Sequence, residues 1–207
     1  MIDDYDKILS DAYNAGDYET VLKGLRTPAE QGDAEAQFNL GVMYNEGQGV
    51  TQDDKEAVKW YRLAAEQGAA EAQNNLGVMY EYGEGIPQDD KEAVKWYRLA
   101  AEQGDADAQY NISYMYYDGQ GVIQNYKEAV KWCRLAAEQG DADAQYNLSI
   151  CYHEGQGVEK DLEEANYWYT KVVEQDNAAA SNIVKYFEDQ KNVLNFDYWK
   201  KKPRNNR

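Results

Sequence analysis

Ionisable side chains are plentiful in this chain, with 38 Asp and Glu, but two cysteines, Cys133 and Cys151, and one histidine, His153, are all it offers for nucleophilic or metal chemistry. A hydrolytic centre needs a nucleophile, a base and oxyanion donors within reach of one another. No serine, cysteine or acid stands at a recognisable catalytic spacing from His153, and no pair of carboxylates is marked out as an acid/base couple. Two Cys and one His are too few for a structural zinc site. No catalytic residue, metal site or cofactor is therefore expected, and a hydrolase is the least supported of the functions considered. Four Gly-x-Gly segments, within EGQGV, YGEGI, DGQGV and EGQGV, have the form of a phosphate cradle. No strand pattern precedes them and all share one phase, which suits a turn between helices. Asn111-Ile-Ser113 and Asn147-Leu-Ser149 have the form of a glycosylation acceptor but fall inside helical patterns.

The chemistry that remains is recognition. Phe38, Asn74, Tyr110 and Tyr146 share one phase, Val42, Val78, Tyr114 and Ile150 a second, and Asn45, Glu81, Tyr117 and His153 a third. The three phases are linked by three- and four-residue steps, so on a helix they form one strip, with Tyr82 at its edge. Large rings off an apolar stripe suit interface anchors. Beside them runs an asparagine ladder, Asn39, Asn75, Asn111 and Asn147, whose amides can both donate to and accept from a bound backbone. The alternative, that these amides tie adjacent units together, stays open. Glu35, Glu71, Asp107 and Asp143 add an acidic ladder. Tyr110, Tyr114, Tyr117 and Tyr146 all fall within residues 104–175, beside the acidic ladder, so residues 104–139 are expected to be the centre of binding.

The elements that must hold this strip repeat. QDDKEAVKWYRLAAEQG occupies residues 52–68 and again 88–104, a period of 88 − 52 = 36. That period divides the chain into four units, 32–67, 68–103, 104–139 and 140–175. Residues 1–31 are expected to form a capping helix pair, 176–199 a capping helix region, and 200–207, KKKPRNNR, a basic solvated tail. In each unit a first helix carries the stripe of Ala36, Leu40 and Met43, and the paired glycines end it. A second helix starts at Asp53, Asp89, Asn125 and Asp161, with Glu56, Glu92, Glu128 and Glu164 three residues on, the pattern of a capping box. Ala57, Trp60, Tyr61 and Ala64 share a face of it, and Trp96, Trp132 and Trp168 hold the Trp60 phase. Helices are predicted at 34–46 and 53–67, 70–82 and 89–103, 106–118 and 125–139, and 142–154 and 161–175.

The pattern A-x-A-Q-x-x-L-G-x-x-Y-x-x-G-x-G-V-x-x-D-x-x-x-A-x-x-W-Y-x-x-A-A-E-Q-G runs from Ala34 to Gly68 and again from Ala70 to Gly104. It resembles the Sel-1-like repeat, a subclass of the tetratricopeptide-like helical repeats. The resemblance implies an all-α, right-handed superhelix of antiparallel helix pairs, used as a protein-binding scaffold, with the first helices lining a concave groove. It also has a cysteine-rich secreted branch, whose disulfide positions read here Ala65 with Ala72, Ala101 with Ala108, and Ala137 with Ala144. Cys133 instead stands at the Tyr61 phase and Cys151 at the Met43 phase, so no bridge between them is expected. The enzymatic claims attached to that branch do not carry over.

A net charge of −17 disfavours nucleic acid and anionic lipid as partners. No apolar run approaches the roughly 20 residues that span a bilayer, and the opening residues MIDDYDKILS lack the basic, then apolar, start of a secretory signal. A cytoplasmic monomer with reduced thiols is expected. Its function is read as a non-enzymatic adaptor that binds a protein with a basic surface in the groove. The alternative is a bacterial immunity or antitoxin-like inhibitor of a basic toxin.

Overall fold

Alanine with leucine and methionine in the first helices, and alanine with valine and aromatic residues in the second, recur at three- and four-residue spacing and give each helix one apolar side. A computed structural model describes residues 2–175. They form ten helices and, among the described residues, no strand. The helices are α1 (Ile2–Asn14), α2 (Tyr18–Glu30), α3 (Ala34–Glu46), α4 (Asp54–Glu66), α5 (Ala70–Tyr82), α6 (Asp90–Glu102), α7 (Ala106–Asp118), α8 (Tyr126–Glu138), α9 (Ala142–Glu154) and α10 (Leu162–Gln175). Each helix packs on the one before and the one after it, the succession of a solenoid. The expected capping region 176–199 and tail 200–207 lie outside the described residues. No helix among the described residues is long and apolar enough to cross a membrane.

The Gly-x-Gly segments are interhelix turns. Gly47, Gly83, Gly119 and Gly155 end the first helices in the left-handed region, with φ between 70° and 76°. The second glycine does something else. A Cβ on Gly85 would meet the carbonyl of Asp54, and one on Gly121 the carbonyl of Asp90, so each turn is laid directly on the start of the preceding unit's second helix. The N–H groups at these helix starts that a phosphate would need are taken by the capping Asp or Asn side chains.

The capping boxes are only half made. Asp53 accepts from the backbone N–H groups of Lys55 and Glu56, and Asp89, Asn125 and Asp161 do the same in their units. The reciprocal bond from the glutamate is replaced. The N–H of Asp53 donates to the carbonyl of Tyr44 across the turn (2.9 Å), which leaves Glu56 to pair with Lys59. In the last unit Glu164 accepts instead from the indole N–H of Trp168 (3.1 Å). The turn brings a backbone carbonyl to the cap, and a carbonyl so placed does the glutamate's task.

The core is a row of clusters between neighbouring helices. Tyr61 and Tyr97 are fully buried because Gly41 and Gly77 leave room for their rings; a Cβ on Gly77 would lie 2.7 Å from the Tyr97 ring. In the third unit both partners change together. Ser113 takes the glycine's place and Cys133 the tyrosine's, and the serine hydroxyl is satisfied by the carbonyl of Tyr110 (2.7 Å). In the fourth, Ser149 again fills the space, but tyrosine is kept, and Tyr169 lies against Tyr146, Ile150 and Val172. Cys133 and Cys151 are buried in one cluster, where Cys133 Sγ donates to the carbonyl of Ala144 (3.2 Å). Burial pushes both thiols up, Cys151 to about 12.

Polar ties join the units. Gln37, Gln73, Gln109 and Gln145 are buried and donate to the carbonyls of Ala29, Ala65, Ala101 and Ala137 at 3.0 to 3.2 Å. Their own oxygens accept from Gln67, Gln103, Gln139 and Gln175, so each buried amide is satisfied on both sides. The letters of this ladder stand at one phase in every unit, yet only the structure reveals that they form it.

Candidate partner-binding face

The first helices α3, α5, α7 and α9 hold eight acids, Glu35, Glu46, Glu71, Glu81, Asp107, Asp118, Asp143 and Glu154, and not one lysine or arginine. The second helices α4, α6 and α8 carry the bases. Some of those bases are occupied: Arg62 donates to Tyr80 Oη (2.9 Å) and stacks on its ring, and Arg98 with Tyr116 and Arg134 with Tyr152 repeat the arrangement. Sequence reading missed these pairs, although each falls eighteen positions apart at a constant phase.

The expected strip divides into an open part and a covered part. Glu35, Glu71 and Asp107 are exposed and Asp143 is half-buried. Tyr82 is 52 % exposed, while Phe38, Asn39, Val42, Asn75, Glu81, Tyr110, Asn111, Tyr114 and His153 are half-buried. Asn74, Tyr117, Tyr146, Asn147 and Ile150 are buried, against their reading as open positions. Each has a local cause. Tyr117 donates to Gln156 (2.8 Å) and meets Tyr126 edge-on, with centroids 5.2 Å apart. Tyr146, Ile150 and Val172 form one buried cluster, and Tyr169 packs against it. Three of the asparagines are used between units: Asn75 hydrogen-bonds the Tyr61 side chain, Asn111 donates to Asn74 Oδ1 (2.9 Å) and Asn147 to Tyr110 Oη (3.2 Å). For these three, tying adjacent units together is the reading that holds.

What stays open gathers where α5 meets α7. The Glu81 carboxylate accepts from Tyr97 Oη (2.6 Å) and from the Tyr82 hydroxyl, and the Tyr114 hydroxyl donates to Asp118 (3.3 Å). Burial holds the Glu81 carboxyl above the usual carboxylate range. Burial, then the neighbouring carboxylates Glu81 and Asp118, push the Tyr82 and Tyr114 hydroxyls up to about 12. Two rings and two carboxylates so arranged suit an ammonium or guanidinium group, which gains cation–π attraction and charge-assisted hydrogen bonds together. His153 stands apart, its Nδ1 3.2 Å from Glu154. Among the described residues, no three His, Cys, Asp or Glu side chains come together as a metal site.

The model of the Sel1 repeat family matches residues 34–68, 70–105, 106–141 and 142–177. Among solved structures, a Sel1 repeat protein from Oxalobacter formigenes is 43% identical over 81% of this chain and 69% of its own, with a TM-score of 0.75. A protective antigen of uropathogenic Escherichia coli with an SLR fold is 34% identical over 83% of this chain and 44% of its own, at a TM-score of 0.58. No curated protein sequence matches the chain. With four matched repeats and these neighbours, the chain belongs to the Sel1 repeat family.

Proposed function

We propose that this protein is a non-enzymatic adaptor, monomeric and cytoplasmic, whose first-helix face binds a partner protein through basic side chains. Sel1 repeat proteins are generally protein-interaction scaffolds, which supports the class of function. The observation that carries the finer reading is the sidedness of charge: eight acids and no base on the first helices, with open rings among them. In the arrays this chain resembles, that face is the concave one. Inhibition of a basic toxin is a narrower form of the same binding, and a partner that proves to be a toxin encoded beside this chain would select it.

Rings and acids contribute differently. Buried anchors dominate affinity, at about 2 kcal/mol or more on truncation, whereas exposed charges act mainly on encounter. With a partner captured from the native host, Tyr82→Ala and Tyr114→Ala speed dissociation. Glu71→Gln with Asp107→Asn slows association and flattens its salt dependence. Tyr117→Ala is not a test of binding, because its ring is buried. If both tyrosine variants bind like wild type while Lys95→Glu on α6 abolishes binding, the working face is that of the second helices.

A further inference from the structure

Residues 200–207 carry five of the chain's 21 Lys and Arg, no acid, and follow Phe196, Tyr198 and Trp199. Without those five cations the charge would be −17 − 5 = −22. We infer that residues 196–207 dock on the first-helix face of their own chain, one Lys or Arg side chain seated among Glu81, Tyr82, Tyr114 and Asp118, and so compete with the basic partner. This rests on the reading of that face as the binding surface.

Charge selects the face. The segment's cations would meet Lys59, Lys95 and Lys131, exposed at one phase of the second helices, on the opposite choice, whereas α3, α5, α7 and α9 offer acids alone. Within that face the seat between α5 and α7 pairs carboxylates with rings, and the segment brings both cations and aromatic residues to it. Its carboxylates are answered in the described residues by hydroxyls: Tyr97 and Tyr82 for Glu81, and Tyr114 for Asp118.

Reach does not forbid it. The described chain ends at Gln175, whose Nε2 donates to Gln145 near the start of α9 (3.3 Å), so it leaves beside the layer of first helices. The seat lies two helix steps away, at ~8–10 Å each, and near the far ends of helices roughly 20 Å long. A path of roughly 30 Å results from these two spacings. The 199 − 175 = 24 residues before Lys200 cover about 36 Å as a helix and about 80 Å extended. A tether of this kind holds its ligand at about millimolar effective concentration, so contacts too weak to matter between free molecules still occupy the site.

The test uses a fluorescein-labelled peptide of residues 196–207 and the full chain, in low salt, read by fluorescence anisotropy. Reversing the segment's own charges (K200E/K201E/K202E/R204E/R207E) removes the internal competitor, and the peptide then binds at least fivefold tighter than to wild type. Adding E81Q and D118N to that chain reverses the gain at least threefold, while its helical circular dichroism is unchanged. Equal affinity for the wild-type and charge-reversed chains overturns the inference, as does absence of binding to both. In either case the captured partner separates the two claims. Partner binding that still depends on Tyr82 and Tyr114 leaves the adaptor reading intact, and its loss of that dependence removes both. A concentration-dependent dimer in sedimentation, abolished by the charge reversal, would seat the segment on a second copy and overturn docking within one chain.

Discussion

At the scale of single residues, the clearest coupling is between Gly77 and Tyr97. The third unit replaces both residues, with Ser113 and Cys133, whereas the fourth sets Ser149 beside a retained tyrosine, Tyr169, that packs against Tyr146, Ile150 and Val172. Gly77→Ser alone forces a side chain into the Tyr97 ring and is expected to cost about 1–3 kcal/mol, the range for overpacked cores. Tyr97→Cys alone opens a cavity, at about 3 kcal/mol or more. The double variant recovers part of that loss, with a coupling of about 1–3 kcal/mol in urea unfolding; strictly additive losses would show that the sites are independent. Glu81 gives a second prediction. Its carboxyl is raised by burial, so the folded state holds the proton more tightly than the unfolded one, and stability falls as pH rises through and above the usual carboxylate range. Glu81→Gln, which keeps an acceptor for Tyr97, should therefore melt higher than wild type at pH 7, and the gap should close as pH falls toward 4. A gap unchanged by pH would assign the effect to something other than this ionisation. Neither coupling is legible in letters, because Gly77 and Tyr97 lie on different helices and only the fold places one on the other.

Elements were the most legible scale. The predicted first helices coincide with α3, α5, α7 and α9, and the second helices begin one residue later than expected because the N-cap residue stands just outside the helix. Glycine turns, apolar stripes and caps are local signals, and the sequence repeats each of them. The reciprocal half of the capping box was misread for the opposite reason: it depends on the Tyr44 carbonyl, brought in by a turn. One cap is missing altogether. α5 starts after Ala69, which has no side-chain bond to offer, where α3, α7 and α9 start after Asp33, Asp105 and Asp141. Ala69→Asp should stabilise the protein by about 1 kcal/mol through a new bond to the Ala72 N–H. Thermal melting that does not rise, with the helix content kept, would contradict the cap geometry.

For the whole molecule, the sidedness of charge could be read once the helices were placed, since α3, α5, α7 and α9 simply lack Lys and Arg. Which strip residues remain open could not. Tyr146 and Ile150 match the phase of Tyr110 and Tyr114 in the sequence, yet they are buried in a cluster against which Tyr169 packs. The open seat accordingly lies between the second and third units, nearer the middle of the array than the tyrosine count suggested. Because each helix packs on its sequence neighbours, excision of residues 68–103 in register should leave a cooperatively unfolding helical protein. Loss of a cooperative urea transition in that variant would show that distant parts of the array depend on one another. The central claim is that the first-helix face carries the partner. Hydrogen–deuterium exchange on the chain with and without a captured partner tests it most directly. Protection centred on α5 and α7, with α4, α6 and α8 unchanged, is the expected result; protection confined to α4, α6 and α8 would contradict it.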